Sequence, residues 1–153
     1  MDHKIRASEL FLEGYNCAQA VAGTFSDLTG LDLKTSARMA SAFGGGMGRM
    51  REVCGAVSGM FMVLSILYGY DEPGDHAGKR ELYTQVQALA DQFRQEAGSI
   101  ICRDLLKNPA SDPNPTPRTA EFYQKRPCER MVMLAAVLMD EFIARHPLEE
   151  ANG

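Results

Sequence analysis

Residues 44–70, GGGMGRMREVCGAVSGMFMVLSILYGY, constrain this chain more than any other stretch, because a glycine cluster there feeds a cysteine and then the longest apolar run. Gly44, Gly45, Gly46 and Gly48 carry little bulk, so their backbone can take positive φ and let a ligand, a cofactor or another helix come close. Arg49 and Arg51 follow with positive charge, and Glu52 sits where an acid suits the start of a helix. The pattern reads as a helix from Val53, with Cys54 in its first turn. A thiol reacts as its thiolate, and helix N-termini and cationic neighbours both favour that form. Cys54 is therefore the best nucleophile candidate. Gly55 and Gly59, four residues apart, share a face that admits a second backbone, so a plain packing groove is the competing reading.

A run this long and uncharged, residues 53–70, raises the question of a membrane span. Gly55, Ser58, Gly59, Ser65 and Gly69 dilute it, and the rest of the chain offers amphipathic helices to cover it. It reads as the buried central helix of a protein that is not integral to a membrane. The 153 residues suffice for one domain, 1–153, and the 45% hydrophobic and 24% charged content is that of an ordinary globular chain. A net charge of -4 without a Lys/Arg cluster argues against nucleic acid as a partner. The opening MDHKIRASELFLEG is charged and amphipathic, unlike a secretory signal. Cys17, Cys54, Cys102 and Cys128 then point to a reducing, cytoplasmic setting with free or cycling thiols.

Helical spacing recurs on both sides of the central run. Residues 3–13 form a short amphipathic helix ending at Gly14, and Asn16 is a good N-cap for a helix over residues 17–25 that starts with Cys17. Ala18 and Ala22 give that helix a small-residue surface fit to lie on Gly55 and Gly59, which would bring Cys17 toward Cys54. A loop over residues 26–34 leads to a helix over 35–43. Beyond Tyr70, DEPGDHAGK reverses the chain, with His76 in the loop, and residues 79–97 resume helical spacing. A helical segment over 100–107 contains Cys102. Pro109, Pro113, Pro115 and Pro117 make the next stretch an exposed connection. A helical turn over 119–125 precedes a largely buried last helix opened by Pro127 and Cys128, and the tail HPLEEANG should fray. No stretch alternates with a period of two. The fold expected is an all-α, single-domain bundle of about five to seven helices.

Arg51, Arg103, Arg126 and Arg130 lie near three of the cysteines in sequence, although Glu129 and Asp104 lie equally near. Several templates are absent: there is no C-x-x-C, no G-x-G-x-x-G or P-loop in GGGMGRM, and no G-x-S-x-G around Ser58. His3, His76 and His146 fall in polar or terminal segments, and none is an obvious base.

Taken together, NCAQAV at Cys17, CGAVSG from Cys54 to Gly59, SIICRDLL at Cys102 and KRPCERMV at Cys128 resemble the family named for its C-GCAxxG-C-C pattern. One departure is visible: Val53, not glycine, precedes the central cysteine. The resemblance implies that Cys17, Cys54, Cys102 and Cys128 are the family positions and that the protein is redox-active, a label drawn from the cysteines and carrying no reaction with it.

Three readings stay open. In the first, Cys54 attacks a disulfide, peroxide or similar electrophile, and a second cysteine, Cys17 by preference, resolves the product with an unidentified redox partner or small molecule. In the second, Cys17, Cys54, Cys102 and Cys128 hold zinc or an iron-sulfur cluster, against which stands the lack of closely spaced ligand pairs. In the third, the cysteines only pack, the glycine loop admits a small ligand, and the apolar last helix supports a homodimer.

Overall fold

The computed structural model describes residues 2–107 and 110–149. It is all-α: α1 (His3–Leu12), α2 (Cys17–Thr24), α3 (Ser26–Thr29), α4 (Leu33–Ala40), α5 (Gly44–Met47), α6 (Gly55–Tyr68), α7 (His76–Ala97), α8 (Cys102–Leu106), α9 (Ala120–Lys125) and α10 (Cys128–Arg145), with a 3-10 turn at Ser41–Phe43. Six of these helices have eight residues or more, which is the bundle expected; the other four are single turns at its connections.

The central helix α6 is 14 residues long, about 21 Å at 1.5 Å per residue, too short for a hydrocarbon layer of about 30 Å. Among the described residues no helix is long and apolar enough to cross a membrane. Ala56, Val57, Met60, Val63 and Leu64 on α6 are buried, and α2, α7 and α10 pack around it. Each large apolar side chain removed from water there contributes about 1.5–3 kcal/mol.

The α2–α6 crossing is the one the small residues call for. A Cβ on Gly59 would stand 2.7 Å from the Ala18 carbonyl oxygen and 3.0 Å from the Val21 Cβ, and one on Gly55 would meet the Cys17 Cβ at 3.1 Å. Asn16 caps α2 as expected: its side chain accepts from the Gln19 N–H, and the Gln19 side chain accepts from the Asn16 N–H, both at 2.9 Å.

Other boundaries differ from expectation for local reasons. The helix predicted to start at Lys79 starts at His76, because the Asp75 carboxylate accepts from the Gly78 N–H at 2.8 Å and caps an earlier turn. His76 is exposed at that helix start. The helix predicted over residues 35–43 begins at Leu33, capped by Asp32, and tightens into the 3-10 turn at Ser41. Part of the tail, residues 150–153, and Pro109 lie outside the described residues.

His3 is the largest departure at the N-terminus. It is buried, stacked on Phe25 at 4.2 Å between ring centroids, with Nδ1 at 2.7 Å from Asp140 and Nε2 at 2.9 Å from Asp27. The ring thus ties the start of α1 to α3 and α10. The apolar face of α10 (Val132, Ala135, Ala136, Leu138, Met139 and Phe142) is covered within the chain, chiefly by α1, α2, α6 and α7.

Candidate functional site: a four-thiol cavity

The glycine cluster builds a left-handed turn. Gly45, Gly46, Met47, Gly48 and Arg49 all have φ between 61° and 67° or at 73°, and Arg51 has φ of 60°. Three of these six carry side chains, each held in a conformation that costs an L-residue about 1–2 kcal/mol. Such strain persists only where surrounding structure enforces it. Here the Arg51 N–H donates to Gly45 O and the Glu52 N–H to Gly46 O at 2.9 Å, closing the turn on itself.

The strand-like residues after the turn run antiparallel to the segment before α8. Val53 bridges Ile101, the Cys54 N–H donates to Ile100 O at 2.8 Å, and the Cys102 N–H donates to Glu52 O at 2.6 Å. This ribbon draws Cys54 and Cys102, 48 positions apart, to one side of the bundle.

Cys17, Cys54, Cys102 and Cys128 all line one cavity of about 460 Å³. Cys54 is the N-cap of α6, and the other three are the first residues of α2, α8 and α10. All four thiols are free. Gly44, Gly45, Gly46 and Gly48 form part of the same wall. Among the described residues, the lining includes four arginines, Arg49, Arg51, Arg118 and Arg126, and no acid.

The thiols are not equivalent. Cys54 receives the helix-end assistance expected of it, from the Ala56 and Val57 N–H groups, but it is only 6% exposed and burial outweighs those contacts. Its pKa is pushed up to about 12. The Arg51 expected to serve Cys54 turns instead to Cys102, with Nη1 3.7 Å from Sγ. Burial still dominates there and raises Cys102, against the pull of Arg51.

Cys128 behaves oppositely. Interaction with the Cys17 thiol is the main reason its pKa falls to about 7; Arg126, Arg118 and Arg51 add to it and burial opposes. Half-buried Cys17 is raised well above the ordinary thiol value, first by its interaction with Cys128 and then by desolvation. Cys54 was expected to be the ionised thiol; desolvation outweighs its helix-end contacts, while at Cys128 a second thiol and three guanidinium groups outweigh desolvation.

The acids near these cysteines in sequence are engaged elsewhere. Glu129 accepts from Ser8 Oγ at 2.7 Å, and Asp104 from Ser99 Oγ at 2.9 Å. Arg103 pairs with Glu52 at 2.6 Å, and Arg130 is exposed. Arg118, which sequence spacing did not single out, enters from the proline-rich segment and lies over the Phe11 and Phe122 rings at 4.6 Å and 4.8 Å. Its only signal in the sequence is a cation beside prolines and aromatic residues.

Among the described residues no three His, Cys, Asp or Glu side chains are grouped so as to hold a metal ion. Cys17, Cys54, Cys102 and Cys128, the ligand set of the zinc or iron-sulfur reading, line one cavity without forming such a group.

The thiol values set a pH dependence of stability. Between about pH 7 and 8.5 the folded state has released the Cys128 proton that the unfolded chain keeps, so stability rises with pH. Above about pH 8.5 the unfolded chain ionises thiols that the fold keeps protonated at Cys17, Cys54 and Cys102, so stability falls. Urea unfolding from pH 6 to 11 is expected to show a maximum at about pH 8.5, because three raised thiols oppose one lowered one, and Cys54→Ala is expected to soften the alkaline limb. A monotonic profile would contradict this assignment.

A helical bundle with four free thiols on one arginine-lined cavity defines a thiol-bearing all-α protein. The chain belongs to the C_GCAxxG_C_C family: the family model described as "Putative redox-active protein (C_GCAxxG_C_C)" matches residues 15–142. Among curated proteins and among solved structures there is no match.

Proposed function

We propose that the protein performs thiol-disulfide chemistry at the Cys17–Cys128 pair, with Cys128 as the attacking thiolate and Cys17 as the resolving thiol. The observation that carries this reading is geometric: all four thiols line one cavity, and Cys17 and Cys128, the first residues of α2 and α10, are the two that are only half-buried there, whereas Cys54 and Cys102 are buried. A thiol that stabilises the thiolate before attack is also within reach to displace the bound partner afterwards. The membership of the C_GCAxxG_C_C family supports the same class of chemistry. Cys54 and Cys102 are 6% and 7% exposed and raised in pKa, and in this reading they shape the cavity behind the reacting pair.

Limited oxidation with a small disulfide, followed by peptide mapping under acid quench, tests the assignment. The first intramolecular product is expected to be Cys17–Cys128. A first product that contains Cys54 or Cys102 would overturn it.

A further inference from the structure

Four guanidinium groups line the cavity of the proposed reacting pair, and three of them have no described carboxylate partner. Arg51 is 2% exposed, and its Nε donates to Ala110 O at 2.8 Å while Nη1 faces Cys102 Sγ. Its Nη2 is buried without a hydrogen-bond partner. Among the described residues no carboxylate lies at ion-pair distance from Arg51, Arg118 or Arg126. Arg118 donates to the carbonyl oxygens of Phe11 and Tyr15, and Arg126 to Thr116 Oγ1, all neutral acceptors. Arg49 alone has an acid, the exposed Asp112 at 3.5 Å.

A buried cation without a counter-charge is costly, and such sites are completed by an anion. The chain as a whole is acidic, at -4, so this positive wall is a local construction and not the spill-over of a basic protein. Arg51 is the buried cation of the four; Arg49 and Arg126 are half-buried and Arg118 is exposed, so they add charge at the mouth where a ligand can reach it. The volume, about 460 Å³, is that of a small-molecule site.

We propose that the cavity takes an anionic low-molecular-weight disulfide, its negative groups drawn to Arg118 and Arg126 in the field of Arg51, with its S–S bond presented to Cys128. This substrate class presupposes the thiol chemistry proposed above. The Cys128 thiolate attacks one sulfur of the ligand; its electron pair forms the new S–S bond, and the other ligand sulfur leaves as a thiolate. Cys17 gives its proton to that leaving thiolate and attacks Cys128 Sγ, forming the Cys17–Cys128 disulfide and releasing the second half of the ligand as a thiolate. The ligand disulfide is reduced to two thiol halves, and the protein pair is oxidised.

The test compares three symmetric disulfides of similar size with the reduced full-length protein: 3,3'-dithiodipropionate (dianionic), bis(2-hydroxyethyl) disulfide (neutral) and cystamine (dicationic). Single-turnover rates are divided by each reagent's rate with a free small thiol at the same thiolate concentration. The dianion is expected to lead the neutral reagent by about tenfold or more and cystamine to be slowest, with the lead collapsing in about 1 M salt. Arg118→Gln and Arg126→Gln, corrected for any change in the Cys128 pKa, are expected to shrink it. The salt series on the unaltered protein carries the test if those variants fold poorly.

A second arm measures calorimetric binding of the same reagents to the Cys17→Ser/Cys128→Ser double variant, which cannot turn over through the pair. Absence of charge preference in both arms overturns the anionic site, whatever the thiols do. Preference in binding without reaction of any disulfide at Cys128 overturns the thiol reading and leaves the anion site standing. Equal rates and equal affinities for dianion and cystamine would be the plainest refutation.

Discussion

Gly46→Ala is expected to lower the stability of the protein by about 2–5 kcal/mol in denaturant unfolding, a large share of the roughly 5–15 kcal/mol typical of a domain. Two causes add. At φ of 73° an alanine pays about 1–2 kcal/mol for the left-handed conformation. Its Cβ would also stand 2.6 Å from the Cys102 Cβ, 2.8 Å from the Arg51 Cα and 2.8 Å from the Glu52 nitrogen, and two of those three atoms are backbone that cannot swing aside. Overpacking of that kind costs about 1–3 kcal/mol.

Two other glycines separate the causes. Gly14 has φ of 112° with open space around its would-be Cβ, so Gly14→Ala should show the conformational cost alone. Gly74 has neither positive φ nor a neighbour within 4 Å, and Gly74→Ala should change stability by less than about 0.5 kcal/mol. Because Glu52 O holds the Cys102 N–H, the Gly46 variant is also expected to expose the Cys102 thiol to alkylation. A Gly46 variant as stable as Gly74→Ala would mean that the left-handed turn is not held as described.

The largest chemical effect is expected at Cys128. A thiol with pKa near 7 is half ionised at pH 7, whereas one near 12 is ionised to about one part in 10⁵. Cys128→Ser should therefore remove the fast phase of iodoacetamide labelling at pH 7 and abolish the intramolecular disulfide. Cys17→Ala takes away the thiol that does most to hold Cys128 down, so the labelling midpoint of Cys128 is expected to move up. Cys17→Ser keeps an O–H donor and should restore part of that shift while still preventing the disulfide. A Cys17→Ala midpoint equal to that of the unaltered protein would remove the thiol-thiolate contact from the account, because a merely structural role for Cys17 predicts no shift.

The elements that proved legible in the sequence were those set by nearest neighbours. Asn16 followed by Gln19 gives a capping box within one turn, and Ala18 with Gly55 and Gly59 gives two thin surfaces with only one economical way to meet. The apolar run of α6 had to be central because only other helices could cover it. His3 was not legible. Its two carboxylate partners lie 24 and 137 positions away, so nothing in the local pattern distinguishes it from a solvated N-terminal residue. Arg118 and the 51–54 ribbon were hidden for the same reason: the ribbon pairs residues about 50 positions apart and is too short to alternate.

The sequence by itself determined that this is an all-α chain with its thiols at or near helix starts, since caps, periodicity and glycine placement act within a few residues of one another. Only the tertiary structure decided which sulfur is ionised and which cations face it. Ionisation depends on the balance between lost water and nearby charge, and both are set by what folds over a group from elsewhere in the chain. Cys54 kept its helix-end contacts and lost its water. Cys128 lost water too, but met a thiol from α2 and guanidinium groups from three separate segments.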